Sequence, residues 1–502
     1  MNTVVTISSN NIIPFHNHAF FCIGSGRMGL ALMREYQEEL EYVQRRLHFT
    51  HIRAHGLFCD DLAICRRRSG GLAFNFTYLD RVMDFYRSLG LRPFLELGFM
   101  PEALASRTQT VFVWKGNVTP PQEQQEWAEL VQATLRHLME RYGAEEVVQW
   151  PIEVWNEPNL PIFWTGADKD AYFSLFRTTF LAVKAVDERF QVCGPAVCGG
   201  NDEIWVQDFL LYCQSQGLAV DGVTRHHYTI ERPVMRGEYA YSDLIDAEAG
   251  FSNLHTTRKI VDSFPEYRGL PIHLTEFNTS YTPRGVIHDT PLNAALLAQQ
   301  LSRLGDMSDS YSYWTFGDLF EEQGVPSTLF HGGFGLVTQS CIPKPVFWIF
   351  DFYRQLWPAA ICHHRDLKSI ILERDGAFQG ILWNLSKDDQ QTSVSIPVRA
   401  GNACLLLERI VDDEHGNPLK LWHDLGEPLY PSDNILQLLR EAAVPQISSM
   451  RITPDRDQHL LTFRLHPNAV LFFEWKPCPL APDDGYRYED AVLGRAIEED
   501  KS

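Results

Sequence analysis

The amino-acid sequence predicts an α/β fold: a closed (β/α)8 (TIM) barrel over residues 14–345 and a β-sandwich domain over 346–502, the latter joined by a strand from residues 1–13. Three observations lead there. From Phe20 to about Phe316, short apolar runs alternate with longer amphipathic ones, as parallel strands joined by helical crossovers do. The strand-like runs number eight, and eight βα units close naturally into a barrel. Beyond Pro343-Lys344-Pro345 the texture changes to short β-prone segments separated by Gly, Asp, Asn and Pro, which reads as an antiparallel sandwich.

The strands are expected at 21–24, 50–58, 92–99, 150–158, 191–197, 220–228, 271–278 and 311–316. Helices are expected between them at 30–47, 78–89, 122–142, 170–186, 203–216, 253–264 and 293–304. Several stop at a glycine (Gly90, Gly143, Gly217, Gly305), where a left-handed cap forms easily. The sandwich strands are expected at 368–373, 378–384, 392–398, 403–410, 460–465 and 469–475, and the VVTIS run near the amino terminus can add one more. The acidic, polar tail from Asp483 is expected to be poorly ordered.

Composition narrows the function. The chain has 502 residues, 45% hydrophobic and 22% charged, with 44 Lys and Arg against 64 Asp and Glu, a formal charge of −20. Such a surface repels phosphate backbones, so no nucleic-acid partner is expected and a small-molecule ligand fits better. No apolar run is long enough to span a bilayer, so no membrane partner is expected. The amino terminus lacks the pattern of a secretory signal. The ten cysteines are scattered at spacings that match no zinc knuckle; they read as buried reduced thiols, and the compartment as cytoplasmic.

Two segments carry chemistry. Trp155-Asn156-Glu157-Pro158 follows the apolar run QWPIEV, and Thr275-Glu276-Phe277-Asn278 follows LPIHL. Both glutamates therefore fall at carboxy-terminal strand ends, the face on which barrel enzymes assemble their sites. They are 119 residues apart, three steps of about 40, which assigns them to strands four and seven, facing each other across the mouth. Two facing carboxyl groups are what glycoside hydrolysis needs, one to protonate the leaving oxygen and one to attack or to activate water. Trp155, Phe163 and Trp164 offer flat surfaces for a sugar ring, and Trp314, ending strand eight, could floor a subsite or pack the core. Strand alternation turns His226 and Tyr228 one way and His227 the other. Arg53 and His55 share a face of strand two, and an Arg53–Glu96 ion pair would serve either barrel support or substrate contact.

Gly24-Ser25-Gly26-Arg27-Met28-Gly29 matches the G-x-G-x-x-G dinucleotide fingerprint between a strand and a helix. An NAD(P)-dependent oxidoreductase is thus a competing reading. However, the next strand ends Arg53-Ala54-His55-Gly56 rather than in the acidic residue that NAD requires, and a turn over the barrel mouth explains the glycines equally well. Apart from that match no cofactor motif and no metal-ligand cluster stands out, so the reaction is expected to need neither and to run in chelator.

At these residues the sequence resembles glycoside hydrolase family 39, the β-xylosidase group. The resemblance runs in order through GSGRMGLAL, HGLFCDD, FLELGFMPEALAS, VFVWKGNVTPP, EVWNEPNLPIFW, GPAVCGG, RHHYT, HLTEFNTSY, HDTPLNAA, YWTFGDLFEE and LFHGGFGL. It implies a retaining β-D-xylosidase that releases xylose from the non-reducing ends of xylo-oligosaccharides by double displacement. Glu157 would be the acid/base and Glu276 the nucleophile; Asn156, His226, Tyr228, His55, Trp314, Glu321 and Glu322 would line the xylose subsite. The family also holds α-L-iduronidases and enzymes acting on other glycosides, such as β-glucosidase-like members, and includes both tetramers and monomers, which leaves a homo-oligomer open. Two departures stand out: His227 replaces an expected small residue and Gly317 an expected serine, positions expected to bear on aglycone preference.

Overall fold

Eight parallel strands form the barrel: β1 (Cys22–Arg27), β2 (His51–His55), β3 (Arg92–Leu97), β4 (Ile152–Val154), β5 (Val192–Val197), β6 (Gly222–Tyr228), β7 (Ile272–Asn278) and β8 (Ser310–Tyr313). Each pairs with its neighbour in sequence, and Ser312 and Tyr313 of β8 pair with Cys22 and Ile23 of β1 to close the ring. The structure, a computed structural model, describes residues 2–478 except 8, 9, 200 and 201, together with 486 and 488–493. Of the acidic tail, 483–485, 487 and 494–502 lie outside the described residues.

The crossover helices follow from hydrophobic spacing. In helix Arg34–Leu47, Tyr36, Leu40, Val43 and Leu47 recur every three or four residues and are all buried, so one stripe faces the barrel. The expected helix over 30–47 is in fact two pieces: a 3-10 turn, Met28–Leu32, and this α-helix, separated by extended Met33. Helix Pro291–Arg303 starts where Thr290 caps it, its side chain accepting from the Asn293 N–H, with proline in the first turn. An eighth helix, Pro345–Gln355, returns to the barrel only after a long excursion from β8 and buries Val346, Phe347, Phe350 and Phe352 in the barrel core. Among the described residues no helix is long and apolar enough to cross a membrane.

The expected strand over 150–158 ends early, at Val154, because Trp155 (φ 73°) and Glu157 (φ 44°) adopt left-handed backbone that no strand continues. That sharp exit is what turns Glu157 toward the barrel axis.

The carboxy-terminal strands are β9 (Ile361–Arg365), β10 (Ser369–Arg374), β11 (Ala377–Trp383), β12 (Gln390–Pro397), β13 (Cys404–Val411), β14 (Gln446–Ile452), β15 (Gln458–Leu465) and β16 (Val470–Pro477). Six of them form a sheet in the order β9-β10-β11-β16-β13-β14. The second sheet holds β12 and β15 with strand Asn2–Thr6, which runs parallel to β12. Between the sheets lie Val5, Ile371, Leu382, Val394, Leu461, Phe463 and Phe473. The alternate residues of the larger sheet, Ile370, Leu372, Ile381 and Phe472, face the barrel and join its core, as a period of two requires. The result is the (β/α)8 barrel and carboxy-terminal sandwich that the sequence predicts.

Candidate active site

Arg53, on β2, is wholly buried in the barrel interior. Its Nε donates to Glu153 Oε2 at 2.6 Å, Nη1 to Glu276 Oε1 at 2.8 Å, and Nη2 to Asn156 Oδ1 at 2.9 Å, with Glu96 Oε2 also 2.9 Å from Nη2. A buried cation is tolerable only when its donors are satisfied, and here three carboxylates from β3, β4 and β7 do so. Burial would lower the guanidinium's affinity for its proton, but the charges of Glu153, Glu96 and Glu276 outweigh it and hold the proton more firmly than usual. The Arg53–Glu96 pair that the sequence suggests is therefore present, and the same arginine also fixes Glu276. Thr275 donates to the remaining oxygen of Glu153 at 2.7 Å.

Glu276, near the end of β7, is gripped from both sides. Oε1 takes the Arg53 bond, and Oε2 accepts from the Tyr228 hydroxyl at 2.7 Å. His55 Nε2 is 3.5 Å from Oε1. His55 is itself oriented by a 2.5 Å contact between Nδ1 and Glu96 Oε2, and its ring lies 4.6 Å from that of Trp314. Burial would raise the Glu96 carboxyl, yet His55 and Arg53 bring it below its ordinary value.

Glu157 is held differently. Its backbone N–H donates to Ala196 O at 2.9 Å, and Oε1 shares a 2.6 Å hydrogen bond with His226 Nδ1. Burial pushes its carboxyl up to about 7, while a hydrogen bond from Cys198 and the charges of His55 and Arg53 restrain the rise. Burial drives His226 down to about 4, so the ring is neutral at pH 7. The same His226 Nδ1 lies 3.3 Å from Glu276 Oε2. Two carboxylate oxygens at 2.6 and 3.3 Å from one atom cannot be more than 5.9 Å apart. One protonatable carboxyl and one carboxylate held by cationic and hydroxyl donors thus share the barrel mouth, an arrangement suited to acid and nucleophile roles.

The rim is completed by the segments after β8. Trp314 is almost fully buried, with Arg53 5.8 Å from its ring centroid. Glu321 Oε2 accepts from Arg27 Nη2 at 2.7 Å, and Arg27 also pairs with Asp61. Glu322 is recessed but reaches solvent; loss of water around it, then the charges of Glu276, Glu157 and Glu96, push its carboxyl well above the usual range. Its carbonyl accepts from Val113 N–H at 3.2 Å, tying the hairpin that carries Trp114 to the β8 loop. The two expected catalytic glutamates and the seven residues expected to line the xylose subsite therefore gather at one mouth.

A family model described as glycosyl hydrolases family 39 matches residues 4–459. The chain belongs to this family. It is a glycoside hydrolase. A β-xylosidase of Geobacillus stearothermophilus is 44% identical over 484 residues, covering 94% of this chain and 95% of its own. A β-xylosidase of Caldicellulosiruptor saccharolyticus is 34% identical over 435 residues, 84% of this chain and 87% of its own. The crystal structure of a monomeric β-xylosidase from Caulobacter crescentus CB15 superposes with a TM-score of 0.86 at 29% identity, covering 95% of this chain and 99% of that one.

Within this family 39 barrel several sequence readings need correction. Trp155 and Trp164 are fully buried, edge to face at 5.0 Å, with the Trp155 indole N–H donating to Phe163 O, so they brace the loop and offer no sugar platform. His227 faces out of the barrel, 3.3 Å from Gln300, away from the mouth. Gly317 faces buried Glu39: a Cβ there would lie 2.0 Å from the Glu39 carboxylate, so the missing serine reflects packing behind the wall. The dinucleotide reading fails because the sheet is a closed barrel. Its glycines make room instead: a Cβ at Gly24 would meet Trp314, and one at Gly26 would meet Phe320. Sequence reasoning missed Arg27, Trp114, Glu153 and Cys198. Only Glu153, a lone acid inside the apolar strand PIEV, carried a signal, since an isolated buried charge demands a partner.

Proposed function

We propose that this glycoside hydrolase is a retaining, exo-acting β-D-xylosidase that releases xylose from the non-reducing ends of xylo-oligosaccharides, with Glu157 as acid/base and Glu276 as nucleophile. The observation that supports the mechanism is the shared contact of both carboxylates with His226 Nδ1, which keeps the nearest oxygens of the two groups within 5.9 Å. Retaining enzymes need about 5–5.5 Å, whereas inverting ones leave about 6.5–9.5 Å for a water.

In the first step, protonated Glu157 gives its proton to the glycosidic oxygen as ionised Glu276 attacks the anomeric carbon, forming a xylosyl ester and releasing the aglycone. In the second, Glu157 removes a proton from water, which displaces Glu276 and restores both groups. The carboxyl of Glu157, raised to about 7, suits both transfers near neutrality. Arg53 and Tyr228 hold Glu276 and aim it. His55, Asn156, His226, Tyr228, Trp314, Glu321 and Glu322 bind the sugar. The Asn156 oxygen is engaged by Arg53, leaving its N–H donors for a hydroxyl. The hairpin bonded to the β8 loop walls one side of the mouth, which favours a chain end over a chain middle. The xylose assignment draws on the two β-xylosidase relatives.

The test is release of nitrophenol from 4-nitrophenyl β-D-xylopyranoside without added cofactor, with the first-formed sugar followed by NMR. Rapid release with β-xylose appearing first is expected. A folded chain that leaves this substrate intact would move the assignment to another sugar, and α-xylose as first product would refute the retaining mechanism.

A further inference from the structure

Cys198 follows β5 directly and reaches the barrel mouth half-buried. Its backbone is clamped by Asn159: the Cys198 N–H donates to Asn159 Oδ1 at 3.1 Å, and Asn159 Nδ2 donates back to the Cys198 carbonyl at 2.5 Å. Three potential ligand atoms, the Cys198 sulfur, a ring nitrogen of His226 and a carboxylate oxygen of Glu157, lie within 4.8 Å of one another. They come from the ends of three adjacent strands, β4, β5 and β6. His226 is almost fully buried, and its Nε2 has no hydrogen-bond partner.

We propose that Cys198, His226 and Glu157 form a binding site for a thiophilic divalent cation of the zinc class, and that its occupation reversibly inhibits the enzyme. A sulfur, an imidazole nitrogen and a carboxylate oxygen are a zinc donor set, whereas magnesium and calcium require oxygen alone. Zinc bonds of about 2.0–2.3 Å set tetrahedral donors roughly 3.3–3.8 Å apart, so the three groups need only draw together slightly. At the mouth Glu276, Glu96 and Glu153 outnumber the Arg53 guanidinium that they share, a balance that favours a cation. The thiol proton and the Glu157 proton leave to solvent as the metal binds.

The inhibition rests on the acid/base role of Glu157; metal binding does not, so two readouts separate them. Zinc chloride is titrated into the chelator-stripped full chain by calorimetry, and in parallel into the aryl-xyloside assay. One zinc per chain with proton release, inhibition competitive with substrate and reversed by EDTA, and no effect of magnesium chloride are expected. Relative to its own zinc-free rate, Cys198→Ser should weaken both binding and inhibition by more than about tenfold, because even outer partners of a metal are worth roughly 10–100-fold. Cys341→Ser, at a partly exposed cysteine outside this cluster, should leave both unchanged. Equal zinc sensitivity of wild type and Cys198→Ser, or no binding, would overturn the site. Cys198-dependent binding without loss of rate would overturn the inhibition, and with it either the place of Glu157 among the ligands or its acid/base role.

Discussion

The two glutamates differ because their surroundings differ. Glu276 accepts from Arg53 and Tyr228, whereas Glu157 meets a neutral imidazole and a thiol in a buried setting. Glu276→Ala is expected to abolish turnover of every xyloside. Glu157→Ala should lose about 10²–10⁴-fold on poor leaving groups, the usual worth of general acid catalysis, and much less on those that need no proton. Equal loss on both classes would exclude the assignment. The pH dependence follows from the sign of the shift. Glu157 must be protonated at the start of the reaction, and its carboxyl is raised to about 7, so kcat/KM should hold below that pH and fall as pH rises through it. Rates in Glu157→Ala on an activated aryl xyloside should lack that alkaline limb.

At the level of elements, the site depends on how closely the strands approach at the β8–β1 seam. A Cβ at Gly24 would lie 2.6 Å from Trp314 Cε3 and 2.8 Å from the Tyr313 carbonyl oxygen, which cannot swing aside. Gly24→Ala should therefore cost about 1–3 kcal/mol, the usual range for overpacking, and displace Trp314 from His55. A lower melting temperature together with a raised KM is expected; an unchanged KM would remove Trp314 from the sugar subsite. Inside the barrel, Arg53→Met would leave Glu96, Glu153 and Glu276 without their shared cation. Breaking a buried ion pair from one side costs about 3–5 kcal/mol, so denaturant titration should show a loss of that order.

Across the whole molecule, the larger sandwich sheet is a shared wall. One face packs on the smaller sheet and the other on the barrel, where Phe472 stacks on Phe352 of the eighth helix at 5.6 Å. Phe472→Ala should destabilise the chain by about 3–5 kcal/mol, as large-to-small changes at buried aromatics do. Because both faces of the sheet are covered, scanning calorimetry should show barrel and sandwich melting together. Two separated transitions would mean that the packed wall does not couple them.

The sequence alone determined the alternation of apolar and amphipathic runs, the change of texture after Pro345, and the placement of Glu157 and Glu276 after apolar strands. Each is a local matter, because hydrophobic period and strand ends are written within about a dozen neighbouring residues. The helix that follows β8 was not legible, since 31 residues of irregular chain separate it from its strand. Nor could sequence tell whether Trp155 and Trp164 face sugar or core, that the fingerprint glycines yield space to Trp314 and Phe320, or that His227 and Gly317 face away from the mouth. Above all, only closure of the barrel brought Arg53, Glu96, Glu153 and Glu276 around one point and set Cys198 beside Glu157 and His226. These contacts join residues up to 223 positions apart, and their geometry depends on strand tilt and packing that no local pattern encodes.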